Sequence, residues 1–250
     1  QGVSGKSHSG CVFIGRNAGL TAYTGDNNIA IGYGAMDDVN ADDTVGASTE
    51  NVFIGKDSGG GSWTTAASNY NVGIGNAVMD AAMNGALSNT AIGYNAGSGI
   101  ISGDKNTFLG AHAGAGITTG NYNICIGEGA GNDFDAESEN VIIGYQAATT
   151  DGYVSAQSVI IGAYAVQSGT HTADGTIAIG YQAGKALTSG SGNVAIGYQA
   201  GDAMTDCNNN TLLGYQALSA ADSCEAGNIA IGYGAGDLIN DSGADNNVII

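Results

Sequence analysis

Residues 176–201 read TIAIGYQAG, then KALTSGSG, then NVAIGYQAG, so that Gly180 and Gly197 close the same phrase 17 residues apart. The phrase recurs along all 250 residues. Its cores include CVFIG (11–15), NIAIG (28–32), NVFIG (51–55), NTFLG (106–110), NICIG (123–127), NVIIG (140–144) and NTLLG (210–214), and NVII (247–250) opens a fourteenth copy. The glycine-to-glycine interval is 17 or 18 except for steps of 23 and 20 after Gly32 and Gly55. A repeat this short cannot bury its own apolar residues, so successive copies must cover one another, which is the logic of a solenoid.

Within a copy, two β-branched or aliphatic residues flank a variable one, and turn formers lie on both sides, which is the pattern of a short strand. Helical spacing of apolar residues is absent, and glycine at this density would cost about 1 kcal/mol per helical site. The expected fold is therefore all-β: a parallel β-solenoid, or β-roll, of about 13–14 turns with 17–18 residues each. Equivalent residues would then stack about 4.8 Å apart. No linker interrupts the pattern, so residues 1–250 are expected to form one repetitive domain, a fragment of a longer fibre protein.

Stacking turns each repeated residue into a column. Asn28, Asn51, Asn71, Asn89, Asn106, Asn123, Asn140, Asn193, Asn210 and Asn228 open their cores, with Cys11, Ser158 and Thr176 standing in elsewhere. Stacked amides can form a hydrogen-bonded ladder, and a plain turn role is the alternative. Ile31, Ile54, Ile92, Ile126, Ile143, Ile179, Ile196 and Ile231 form an aliphatic column, and an aspartate at Ile196 is expected to unravel adjacent turns by burying an unpaired charge. Tyr33, Tyr94, Tyr145, Tyr181, Tyr198, Tyr215 and Tyr233 follow the core glycine, as a packing device or as a sugar-binding stripe.

Composition limits the partners. Glycine is abundant (44 residues) without proline and without a Gly-X-Y period, which excludes collagen, and 43% hydrophobic residues argue against disorder. The net charge of -18 disfavours nucleic acid and anionic membranes, both of which are bound through clustered Lys and Arg. No apolar run reaches the ~20 residues needed to span a bilayer, so no membrane insertion of this segment is expected, and no signal peptide is visible.

The strand is apolar on both faces. In NVFIG the Val and Ile point one way and the Phe the other. One dry face belongs to the coil interior, and the other implies a second chain. A homotrimer of parallel chains around a central axis, intertwined or side by side, is the simplest expectation.

The NVAIG core with its small neighbours resembles the head repeats of YadA-like trimeric autotransporter adhesins, whose pattern runs close to NSVAIG. The fuller phrase NVAIGYQAG with a TG loop is similar to repeats of phage tail fibres and related virion proteins. The first resemblance implies a left-handed parallel β-roll with three chains in one head. The period here is longer than that of the adhesins, the extra residues lying in the loop. The two resemblances together imply an extracellular or virion-surface fibre, foremost a phage tail fibre involved in host attachment, with a bacterial trimeric surface adhesin as the alternative. Partners implied are the chain itself and a cell-surface polysaccharide or receptor.

Enzymatic signals are weak, and no enzyme is expected. His8, His112 and His171 lack metal-ligand spacing, and the strings GYGAGD and GAHAGAG lack the lysine of a phosphate loop. Asp37, Asp38, Asp42 and Asp43 cluster in one loop, and Asp133, Asp135, Glu137 and Glu139 in another. They read as solvated corners or, through clustered carboxylates, as a Ca2+ site; no other cofactor is expected. Paired carboxylates also keep a polysaccharide depolymerase as a minor alternative. An ice-binding surface is disfavoured, because no Thr-x-Thr column persists. The loop of residues 59–70 carries Trp63 and Tyr70, candidates for binding a sugar ring, with packing over the rod's end or against a neighbouring chain as the other reading of Trp63. Cys207 and Cys224 lie ten residues after Gly197 and Gly214, which places their Cα atoms about 5 Å apart; a disulfide is expected there. Cys11 and Cys125 sit in strand cores as small hydrophobes.

Overall fold

In the computed structural model, residues 9–21, 25–39, 47–63, 66–149, 156–167, 172–220, 226–239 and 244–250 are described. Two compact units divide the chain, 1–123 and 124–250. The first carries β1 (Val12–Ile14), β2 (Ile29–Ile31), β3 (Val52–Ile54), β4 (Val72–Ile74), β5 (Thr90–Ile92) and β6 (Thr107–Leu109). The second carries β7 (Ile124–Ile126), β8 (Val141–Ile143), β9 (Val159–Ile161), β10 (Ile177–Ile179), β11 (Val194–Ile196), β12 (Thr211–Leu213), β13 (Ile229–Ile231) and β14 (Val248–Ile249). Each unit is a parallel β-solenoid with one strand per turn, every strand pairing in chain order with the next. The register is that of the repeat: Ile177 faces Val194, Ala178 faces Ala195 and Ile179 faces Ile196.

The middle residue of each strand points into the coil. Ala30, Phe53, Ala91, Phe108, Cys125, Ile142, Ile160, Ala178 and Leu212 are buried, whereas the flanking Val, Thr, Ile and Leu residues are half-buried or exposed. This corrects the expectation for the aliphatic column. Ile196 is half-buried on the outward side, and an aspartate there would remain in contact with water. The inside is filled by trading volume within a turn. Where the middle residue is Phe, the next corner supplies a glycine whose missing side chain makes room for the ring, as with Phe53 over Gly59 and Phe108 over Gly114. Where it is Ala, a later residue is long, as with Ala195 and the buried Met204.

Glycine closes the core because of two constraints acting together. Gly197 has φ +140°, and a Cβ there would lie 2.1 Å from the carbonyl oxygen of Gly214 in the next turn. A side chain would be both strained and in collision with backbone. The residue before each core also takes positive φ, and here the sequence accepts Tyr70 (61°), Lys105 (57°) and Glu139 (63°). Inter-turn backbone bonds hold these otherwise unfavourable conformations: Tyr122 N–H, for instance, donates to Asp104 C=O at 3.0 Å.

The core asparagines form the ladder in each unit. Asn71 accepts from the backbone N–H (3.0 Å) and the side-chain amide (3.1 Å) of Asn89. Its own Nδ2 donates to Asn51 Oδ1 (3.2 Å) and to the carbonyl of Ala86 (2.8 Å). Asn106 and Asn123 continue the column in the first unit, and Asn193, Asn210 and Asn228 repeat it in the second. All are buried. Burial turns each satisfied bond into a register lock, since a shifted turn would leave these groups unpaired. At Ser158 the hydroxyl replaces the amide oxygen and accepts the Thr176 N–H at 3.3 Å.

Candidate functional site

Two outward columns dominate the surface. The first is the aliphatic stripe of strand flanks. In the second unit it runs through Ile124, Ile143, Ile161, Ile179, Ile196, Leu213 and Ile231, one or two residues per turn, all half-buried or exposed. In the first unit Ile14, Ile74, Ile92 and Leu109 are exposed. These side chains lie outside the coil because period-2 alternation sends them opposite to the buried middle residue.

The second column is aromatic and follows the core glycine. In the second unit, the rings of Tyr181, Tyr198, Tyr215 and Tyr233 stack nearly parallel, with centroids 5.3, 4.9 and 5.1 Å apart. Upstream, Tyr145 and Tyr164 meet edge to face at 5.3 Å, and Tyr164 meets Tyr181 at 6.0 Å. Tyr164 sits one residue later in its repeat than the others, and Ala163 occupies the usual tyrosine position. The same substitution occurs in the first unit, where Ala111 is followed by His112, whose ring packs 5.2 Å from Tyr94. At these two turns the ring lost at one position is supplied by the next, whereas Arg16, Lys56, Asn76 and Glu128 stand in the column at other turns. Beside it, Gln199 donates to Gln182 at 2.9 Å and Gln216 to Gln199 at 3.0 Å, a second amide ladder on the surface.

This geometry bears on sugar binding. A pyranose stacks on a ring face, and within the column those faces are covered by neighbouring rings, leaving edges and hydroxyls outward. Trp63 is fully buried, edge to face with Phe53 at 5.6 Å, so it packs the scaffold and presents no platform. Tyr70 is exposed.

Asp37, next to Asp38, lies near Asp57 and Asp80 of the following turns. Burial raises the Asp37 carboxyl above the ordinary range, with Asp38 and Asp57 adding repulsion. Asp80, one of the acidic residues sequence reasoning passed over, is raised mainly by burial and then by Asp57 and Asp37. Ser62 donates to Asp38, and Lys56 pairs with Asp57 at 3.1 Å. Asp42 and Asp43 lie outside the described residues. Among those described, no group of three or more His, Cys, Asp or Glu side chains could hold a metal ion. Cys207 is buried, and its expected partner Cys224 also lies outside the described residues. Cys125 is buried in the coil, where desolvation pushes its thiol far up. Cys11 takes the ladder position of its turn, its sulfur accepting the Asn28 N–H at 3.4 Å.

A further set of contacts escaped the sequence reading. Two residues before the core, Asp or Asn side chains accept a backbone N–H from the preceding turn: Asp104 from Leu87 (2.8 Å), Asn121 from Asp104 (2.7 Å), Asp174 from Ala156 (2.9 Å) and Asn208 from Ser191 (3.0 Å). The signal was present as Asp or Asn recurring in the GDKN, GNYN and ADGT corners. Part of the acidity of this chain is therefore structural.

Comparisons with family models, with curated proteins and with solved structures find no match for this chain. Among the described residues, no helix is long and apolar enough to cross a membrane.

Proposed function

We propose that this chain is a structural shaft or head segment of an extracellular fibre, of the kind that forms a phage tail fibre or similar virion appendage, built from three parallel copies. The observation that carries the reading is the aliphatic stripe on the outward strand face. A sheet face bearing Val, Ile and Leu at successive turns is a contiguous apolar surface, and such surfaces mark association sites. A second and third copy are the occupants that fit. The stripe repeats with the period of the coil, so only a partner with that same period can contact every turn. Three copies turned about one axis bring all three stripes inward in a closed ring. The net charge of -18 makes like-charged assemblies repel one another and remain dispersed.

Native mass measurement of the purified chain tests the reading, with a trimer expected. Ile143→Asp together with Ile196→Asp should give a folded monomer, because both side chains point out of the coil. A wild-type monomer at micromolar concentration would overturn the proposal. Whether the fibre belongs to a virion or to a bacterial surface is tested by immunogold labelling of both; labelling confined to cells would favour the adhesin.

A further inference from the structure

The aromatic column of the second unit has a chemical property independent of what the protein attaches to. Six phenols, from Tyr145 to Tyr233, occupy six successive turns, with neighbouring ring centroids 4.9–6.0 Å apart. Tyr145, Tyr181, Tyr198, Tyr215 and Tyr233 are exposed, from 40% to 83%, so their hydroxyls and the adjoining ring carbons meet solvent. The Tyr145 and Tyr164 phenols are close enough to share a hydrogen bond.

Among the described residues, most other easily oxidised groups are hidden, and the half-buried Cys11 belongs to the first unit. Met36, Met79, Met83 and Met204, all the methionines of the chain, are fully buried, as are Trp63, Cys125 and Cys207. Oxidation of sulfur side chains follows their exposure, so these groups are poor competitors for an oxidant in solution. Among the described residues, what the surface of the second unit offers to an oxidant is tyrosine, and it offers it in a row.

We propose that the Tyr145–Tyr233 column is an oxidative cross-linking site, at which phenols of successive turns are joined as dityrosine by a haem peroxidase using hydrogen peroxide. Each of two phenols loses one electron and its hydroxyl proton. The two tyrosyl radicals then couple through the ring carbons beside the oxygens, forming one C–C bond. Each coupled carbon gives up its hydrogen as a proton while a phenolic oxygen takes one back, which restores aromaticity. The net loss of two electrons and two protons reduces one hydrogen peroxide to two waters. The backbone register keeps partner rings adjacent, so coupling needs only a swing of exposed ring edges. The product is a covalent staple between turns.

The test treats the purified chain, dilute, with a haem peroxidase and hydrogen peroxide, followed by peptide mapping. Links are expected between column neighbours, above all Tyr145–Tyr164 and Tyr198–Tyr215, in protein that keeps its single-chain mass on a denaturing gel. Tyr198→Phe retains the stacked ring but removes the phenol. It should abolish the Tyr181–Tyr198 and Tyr198–Tyr215 links and leave Tyr145–Tyr164 intact. The proposal is overturned if the column stays unlinked, if links form only between chains, or if the exposed Tyr70 and Tyr122 couple as readily as the column. Because within-chain links are read separately from native mass, failure here leaves the trimer proposal standing, and the reverse also holds.

Discussion

Replacing Asn71 by alanine should destabilise the first unit by about 2–6 kcal/mol. The side chain makes four hydrogen bonds: two donated, to Asn51 Oδ1 and Ala86 C=O, and two accepted, from the backbone and side chain of Asn89. Two of these partners have alternatives, since Asn51 Oδ1 keeps the Asn71 backbone N–H at 2.9 Å and the Asn89 amide keeps the Gly103 carbonyl at 2.7 Å. The Asn89 N–H and the Ala86 carbonyl lose the bond they make with Asn71. Asn71, Ala86 and Asn89 are all fully buried, and a buried group without a partner costs about 1–3 kcal/mol. Serine should cost less, because Ser158 already serves as an acceptor in the second unit. Aspartate should cost at least as much as alanine: it keeps the acceptors, turns a carboxylate oxygen toward the Ala86 carbonyl and buries a charge. Urea denaturation gives the magnitude, and amide hydrogen exchange should show the loss concentrated in β4 and β5. A change within about 0.5 kcal/mol, as for an ordinary surface substitution, would refute the reasoning.

Other perturbations probe other parts of the account. Phe108→Ala should cost about 3–5 kcal/mol, because the ring fills space left by Gly97 and Gly114; thermal melting checks it. Gly197→Ala should fold poorly or melt much earlier, since its Cβ would meet the Gly214 carbonyl at a φ unsuited to alanine. Asp37, Asp80 and Asp202 each have a carboxyl raised above its ordinary value of 3.8, with burial the largest cause. The folded chain therefore binds these protons more tightly than the unfolded chain. Their contribution to stability is complete below the ordinary value and is lost as pH rises through the raised one. Urea midpoints should increase on acidification from neutral pH into the carboxylate range, and an Asp37→Asn, Asp80→Asn, Asp202→Asn triple variant should flatten that rise.

Much of the fold was legible because solenoid physics is written once per turn. Val and Ile flanking one residue before a glycine gave the strands, and the recurring asparagine gave the stacking direction. Which strand face turns inward was hidden. In VFIG or VIIG both faces are apolar, and the glycines that make room for Phe53 and Phe108 lie several residues away and recur after Ala and Cys cores as well. The fate of Trp63 was hidden for a similar reason: the lengthened loop gave no sign that the indole would pack beside Phe53. The Ala163–Tyr164 and Ala111–His112 exchanges could be read only once the column existed, because one-position shifts look like noise in a linear alignment. Positive φ at Val166 (47°) and Leu218 (50°) was equally invisible, since neither residue type favours that conformation and inter-turn hydrogen bonds impose it.

A density map resolving individual strands tests the central claim most directly. The account predicts parallel three-residue strands in each unit, about 4.8 Å apart, with Ile177 beside Val194 and Asn71 between Asn51 and Asn89. Antiparallel hairpins, or neighbouring repeats offset so that core asparagines fail to meet, would contradict it.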